Sequence, residues 1–180
     1  MISPWHMRIA RLCVLLLSFL DSTRNCQTQS KQLDWKEFVY PNAGFAITLP
    51  SDPHPHDDPT ASGVTAYTVH LSPQVVVTFR TMKDKIDCLQ TLNQTRDLAR
   101  RGAEPNLKKG SFKEVTVQSY PGLEWQTEVP VVGFAEYDRN VCVNGRFYMF
   151  AARWPMGQQM PHTVLRILNS LRFLNVPQAH

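Results

Sequence analysis

Glycine is scarce in this chain: eight residues in 180, scattered at turns. No Gly-rich run is present to cradle a phosphate, and no serine sits in a Gly-x-Ser-x-Gly elbow. Excess charge is scarce too. The formal net charge is +4, and half of it comes from Arg8, Arg11 and Arg24 against Asp21. No Lys/Arg cluster interleaves with aromatics, which argues against nucleic acid as a partner. The apolar run at residues 12–20 is too short to cross a bilayer, which takes about 20 apolar residues. Cysteine is sparse, with four residues at 13, 26, 88 and 142. No set of them has the spacing of a zinc site, and no metal or cofactor is expected.

What is present begins with an export pattern. Arg8 and Arg11 precede the apolar run, and a polar stretch follows. Residues 1–25 therefore read as a signal peptide, and residues 26–34 as a disordered linker. A single domain is expected over residues 35–176, in the periplasm or secreted. Membrane contact is expected only through the N-terminal segment, if it stays uncleaved. Hydrophobic residues make up 43% of the chain, enough for a real core. Cys88 and Cys142 are the two cysteines of the folded part. An oxidising compartment makes them a disulfide candidate; the alternative is two separate buried thiols.

Strands are legible by alternation. Phe45, Ile47 and Leu49 alternate after a turn at residues 41–44 and predict a half-buried strand. Three prolines, at 53, 55 and 59, predict a loop over residues 51–63. Tyr67, Val69 and Leu71, then residues 75–80, predict a hairpin about Ser72-Pro73. Residues 84–101 change character. Cys88, Leu92, Thr95 and Ala99 fall three or four apart, with Leu89 flanking, which predicts a surface helix stopped at Gly102. Val115 and Val117 follow, and Tyr120-Pro121-Gly122 predicts a type II turn. Leu123, Trp125, Thr127 and Val129 then alternate with polar residues.

The last forty residues are the most informative. Residues 134–143 and 146–154 predict a hairpin about Asn144-Gly145, a dipeptide suited to a two-residue type I′ turn. That turn pairs Val143 with Arg146, Cys142 with Phe147, Val141 with Tyr148 and Arg139 with Phe150. Apolar residues then lie on both faces, so both need cover. The expected fold is α+β: an antiparallel sheet with a helix on each face. Residues 84–101 would cover the Cys142 face. A helix over residues 161–171, with Val164, Leu165, Leu168 and Leu171 inward, would cover the other.

Three short stretches carry a family resemblance. Gly44-Phe45-Ala46-Ile47-Thr48-Leu49-Pro50, Asn144-Gly145-Arg146-Phe147-Tyr148, and residues 167–173, Ile-Leu-Asn-Ser-Leu-Arg-Phe, resemble motifs of the PsbP-like superfamily. That group includes photosystem extrinsic proteins, Ran-binding relatives and exported bacterial domains. The resemblance spans residues 38–174. It implies an antiparallel sheet flanked by helices and carries over no active-site residue.

Candidate chemistry is thin. His54, His56, Asp57 and Asp58 have metal-ligand side chains, but three prolines stiffen their stretch and a solvated loop is the simpler reading. His70 and His162 are isolated. Glu136 falls opposite Arg153 as a cross-strand ion pair, and Glu124, Glu128 and Asp138 read as surface acids. No catalytic residue is assigned. Arg139 stands out, because the register sets it among Tyr137, Phe150 and Trp154 on an apolar face. A snorkelling or stacked arginine is one explanation, and the floor of a ligand pocket is the other. Tyr137, Arg139, Phe150 and Trp154 are the candidate ligand site. The expected function is a non-catalytic binding or accessory protein for an unknown protein or small-molecule ligand. The alternative is a small-ligand or lipid carrier using the Arg139 face, and a hydrolase comes third.

Overall fold

A computed structural model describes residues 34–59, 63–82, 87–102 and 106–174. The signal peptide and nearly all of the linker expected from sequence, the Asp84 start of the first helix and the far end of the domain lie outside these residues. Among the described residues, ten strands and two helices follow in order. They are β1 (Lys36–Tyr40), β2 (Phe45–Leu49), β3 (Pro55–Asp57), β4 (Val64–Ser72) and β5 (Val75–Met82), then α1 (Cys88–Arg100). After these come β6 (Lys113–Val117), β7 (Tyr120–Val129), β8 (Phe134–Val143), β9 (Arg146–Pro155), α2 (His162–Ser170) and β10 (Arg172–Phe173). The class is α+β, and every strand pairing is antiparallel.

Seven strands form one sheet in the order β3-β4-β5-β9-β8-β7-β6. Its centre is the β8–β9 hairpin. Asn144 and Gly145 take φ of +50° and +82°, the left-handed pair a type I′ turn requires. The rungs Val143–Arg146, Cys142–Phe147, Val141–Tyr148 and Arg139–Phe150 all form as the turn dictates.

The β6–β7 turn differs from the sequence expectation. It lies at Gln118 and Ser119, both with positive φ, and Val117 pairs with Tyr120. Pro121 and Gly122 stand inside β7. The glycine answers crowding between strands: a Cβ there would sit 2.7 Å from the Asn140 carbonyl oxygen of β8. The expected loop at residues 51–63 is also corrected. It contributes β3, whose three residues pair with β4 at the sheet edge, where a proline is tolerated.

A second sheet, β1-β2-β10, was not legible in the sequence. β2 is its middle strand, and Phe45, Ala46, Ile47 and Leu49 are all buried, beyond the half-burial that alternation predicts. Phe45, Ile47 and Leu49 share one core cluster with Val77, Phe79, Phe150 and Trp154 of the large sheet and with Val164, Ile167 and Leu168 of α2. α2 also meets β2 directly, its Ser170 Oγ accepting the Thr48 N–H at 3.0 Å. Side chains of both sheets and of α2 therefore meet in one core cluster on the Phe150 side. Ile167, rather than the expected Leu165, completes the buried stripe of α2.

The opposite face carries a smaller cluster: Cys88, Leu92, Leu123, Trp125, Cys142 and Phe147. Asp87 caps α1 by accepting the Gln90 N–H at 2.9 Å, and Gly102 ends it at φ +68°. α1 buries two residues, Cys88 and Leu92. Cys88 forms a disulfide with Cys142 across a Cα separation of 5.5 Å. Among the described residues, no helix is long and apolar enough to cross a membrane.

Candidate functional site

One rung runs across all seven strands. It joins Lys113, Glu124, Arg139, Phe150, Phe79, Tyr67 and Pro55. Opposed residues in an antiparallel ladder share a face. The rung is charged at one end and aromatic at the other, with Arg139 and Phe150 at the junction.

Glu124 is the residue that sequence reading missed. Leu123 and Trp125 point into the Cys142-side cluster, so alternation sends Glu124 to the Phe150 face, directly opposite Arg139. That signal was available once β7 was seen to need two buried faces. Arg139 Nη2 donates to Glu124 Oε2 at 2.8 Å, and the Tyr137 hydroxyl donates to the same oxygen at 2.6 Å. The guanidinium also lies 5.7 Å from the Tyr137 ring centroid. The Arg139 and Glu124 side chains are 17% and 16% exposed, so the pair is largely withdrawn from water. Packing does explain Arg139: an acid on the neighbouring strand holds it.

This network sets the local protonation. Burial pulls the Glu124 carboxyl upward, but the bonds from Tyr137 and Arg139, with the charges of Arg139 and Lys113, outweigh it and leave it below its ordinary value. Burial and the Glu124 bond push the Tyr137 phenol well above its ordinary value. One carboxylate oxygen of Glu124 thus accepts both the Tyr137 hydroxyl and the Arg139 guanidinium.

The four candidate ligand residues separate into two groups. Tyr137, Arg139 and Phe150 adjoin one another, with the Tyr137 and Phe150 rings 6.1 Å apart. Trp154 lies four residues beyond Phe150 on β9, about 13 Å along a strand. It is buried, and its Nε1 donates to the Gln158 carbonyl oxygen at 3.1 Å. A cleft does lie beside Arg139 and Phe150, walled by Phe45, Phe79, Tyr148 and Phe173. Its volume is about 10 Å³, room for one water. Tyr137 and Trp154 are not in its lining.

The remaining candidates have structural surroundings. The His56 ring meets the His54 carbonyl at 3.4 Å, and both residues are exposed. Asp58 is not a surface acid: its carboxylate is buried and receives Arg80 Nε at 2.5 Å, a second pair invisible in sequence. Glu136 and Arg153 form the expected cross-strand bridge at 2.6 Å, with the guanidinium 4.2 Å from the Phe134 ring. Among the described residues, no group of three His, Cys, Asp or Glu side chains is gathered to hold a metal.

Large exposed apolar residues lie elsewhere: Val39 on β1, Leu89 and Leu98 on α1, and Val131, Val132 and Met156 at one end of the large sheet. Val131 and Val132, 95% and 60% exposed, form the tip of the β7–β8 turn. Val129 O accepts the N–H of both Val132 and Gly133, and Gly133 takes φ +70° to close the turn. Met156, also exposed, joins this end of the sheet through its N–H to Gly133 O at 2.9 Å.

No family model matches the sequence, and no curated protein matches it. Solved structures do. The solution structure of cyanobacterial PsbP (CyanoP) from Synechocystis sp. PCC 6803 aligns with a TM-score of 0.53 at 7% identity, over 84% of this chain and 99% of that one. A protein from Bacteroides thetaiotaomicron aligns with a TM-score of 0.50 at 12% identity, over 77% of this chain. This chain spans 48% of the Bacteroides protein's length. The fold is PsbP-like.

Proposed function

We propose that this PsbP-like chain is an exported, non-catalytic binding or accessory protein whose contact point is the Val131–Val132 turn. The carrying observation is the contrast between a filled sheet face and an exposed apolar tip. Turns favour Gly, Asn, Asp and Ser, each for a conformational reason. Two β-branched valines at a turn tip do nothing for the turn, and at this exposure they do little for the core. Their use is as an anchor in a partner's apolar pocket. The same reading takes α1 and α2 as covers of opposite sheet faces, which leaves the turns at the sheet ends as free surface. Action in the periplasm or outside the cell accords with the N-terminal basic-apolar pattern and with the Cys88–Cys142 disulfide.

The rival reading is a small-ligand or lipid carrier at the Arg139 face. Arg139 and Phe150 do line one cleft, but its volume as folded is too small for such a cargo. The test is site-specific photo-cross-linking of the full chain in cells that export it. A photoreactive residue at Val131 should give a discrete cross-linked protein. The same residue at Gln90, on the exposed side of α1, should not. Val132→Asp should abolish the product while shifting stability by less than about 0.5 kcal/mol, as surface changes do. Equal labelling from both positions would sink the proposal.

A further inference from the structure

The β6–β7 turn is built from poor residues for its shape. Gln118 and Ser119 take φ of +50° and +73° in succession. Left-handed backbone is disfavoured for residues with a Cβ, and glycine or asparagine usually fills it. The neighbouring β8–β9 turn uses Asn-Gly for the same geometry.

Gln118 has another task. Its Nε2 donates to Leu171 O at 2.7 Å, and its Oε1 accepts the Phe173 N–H at 3.0 Å. One amide thereby serves both backbone groups that a neighbouring strand would pair. The side chain acts as a one-residue partner strand for β10. β10 otherwise has a two-residue ladder to β2, an exposed Arg172–Glu37 ion pair, and the Leu174 N–H on Gly44 O. Exposed pairs of this kind add little. Residues 171–174 are a strap held by few bonds, and Gln118 supplies two of them.

The strap closes the aromatic cleft. Leu171 and Phe173 form one wall; Phe45, Phe79, Tyr148 and Phe150 supply its other rings, with Arg80, Arg139 and smaller side chains between them. The half-buried Phe173 ring lies 4.9 Å from Tyr148 and 6.0 Å from Tyr120. Phe173 behaves as a built-in ligand, and its ring is a template for what the cleft accepts.

The geometry points to a gated binding site: the strap opens when the Gln118 amide releases it, and the cleft takes a small neutral aromatic molecule in place of the Phe173 ring. The ligand is aromatic because the walls are aromatic rings. It is neutral because both cations in the lining are already balanced, Arg139 by Glu124 at 2.8 Å and Arg80 by the buried Asp58. This site is separate from the Val131–Val132 turn and stands without it.

The test uses the full chain, its Gln118→Gly variant and indole as probe. Glycine accepts φ +50° freely, so the substitution relaxes the turn while deleting the clamp. Circular dichroism should be unchanged. Hydrogen exchange at the Phe173 and Leu174 amides should rise about tenfold or more as the open population grows. Apparent affinity for indole should rise in step, about tenfold, because binding scales with the competent fraction. Amide shifts on titration should map to Phe45, Phe79 and Phe150. Phe173→Ala should tighten binding further. Unchanged strap exchange in Gln118→Gly would overturn the clamp, and faster exchange without tighter indole binding would overturn the site. Indole-3-acetate binding tighter than indole would overturn the neutral ligand class.

Discussion

The two faces of the large sheet are closed by different means. The Phe150 face is closed by burial: β2 and α2 add Phe45, Ile47, Leu49, Val164, Ile167 and Leu168 to one cluster. The Cys142-side cluster is smaller, and to it α1 contributes Cys88 and Leu92 alone as buried residues. Two such side chains contribute roughly 3–5 kcal/mol, little for ordering a helix of three to four turns. The Cys88–Cys142 disulfide spans 54 residues, and a link of that span restrains the unfolded chain by about 4 kcal/mol in the chain-entropy account. Covalent closure appears where apolar area is short.

The comparison can be tested from its strongest term downward. Phe150→Ala should cost about 3–5 kcal/mol by urea denaturation, since it opens a cavity in the larger cluster. A cost below about 1.5 kcal/mol would mean that face is not a continuous core. Replacing Cys88 and Cys142 together by Ala should cost about 2–4 kcal/mol. Its signature should be local: α1 amides lose hydrogen-exchange protection while β8 and β9 keep theirs. Loss of protection in both strands would show that the second face supports the first.

Glu124→Gln should have the smallest effect of the three, about 1–2 kcal/mol, by weakening the bonds to Tyr137 and Arg139. Its pH dependence is more telling than its size. The Glu124 carboxyl is lowered in the folded state. Its stabilisation is therefore full above the ordinary carboxylate pKa and is lost as pH falls through the lower folded value. The variant should lose stability at neutral pH and converge with the parent in acid. An unchanged gap across the acid range would show that the Glu124 charge is not what holds Arg139.

Much of this architecture was legible before the structure. Asn144-Gly145 specifies its own turn, so the β8–β9 rungs and the Arg139–Phe150 pairing could be counted from it. The Cys88, Leu92, Thr95, Ala99 spacing located α1 and its inward side, but Leu89, read as flanking that stripe, is exposed. Tyr120-Pro121-Gly122 was misread because Pro and Gly mark turns, yet here Gly122 answers a close approach of β8. The second sheet was hidden because β10 has two residues, too few for any periodicity. Of the four candidate residues, Tyr137, Arg139 and Phe150 adjoin one another while Trp154 bonds elsewhere, and Glu124 was read as a surface acid.

The sequence by itself determined what local chemistry controls: the hairpin register, the α1 spacing with its Gly102 stop, and apolar residues on both faces of the β8–β9 hairpin. Each follows from backbone geometry within a few residues. The tertiary structure alone decided what long-range neighbours control. It set Glu124 against Arg139, drew the Gln118 amide onto β10, buried Asp58 beside Arg80 and left Val131 and Val132 bare. Burial and charge pairing depend on strands distant in the chain, and no local pattern encodes them.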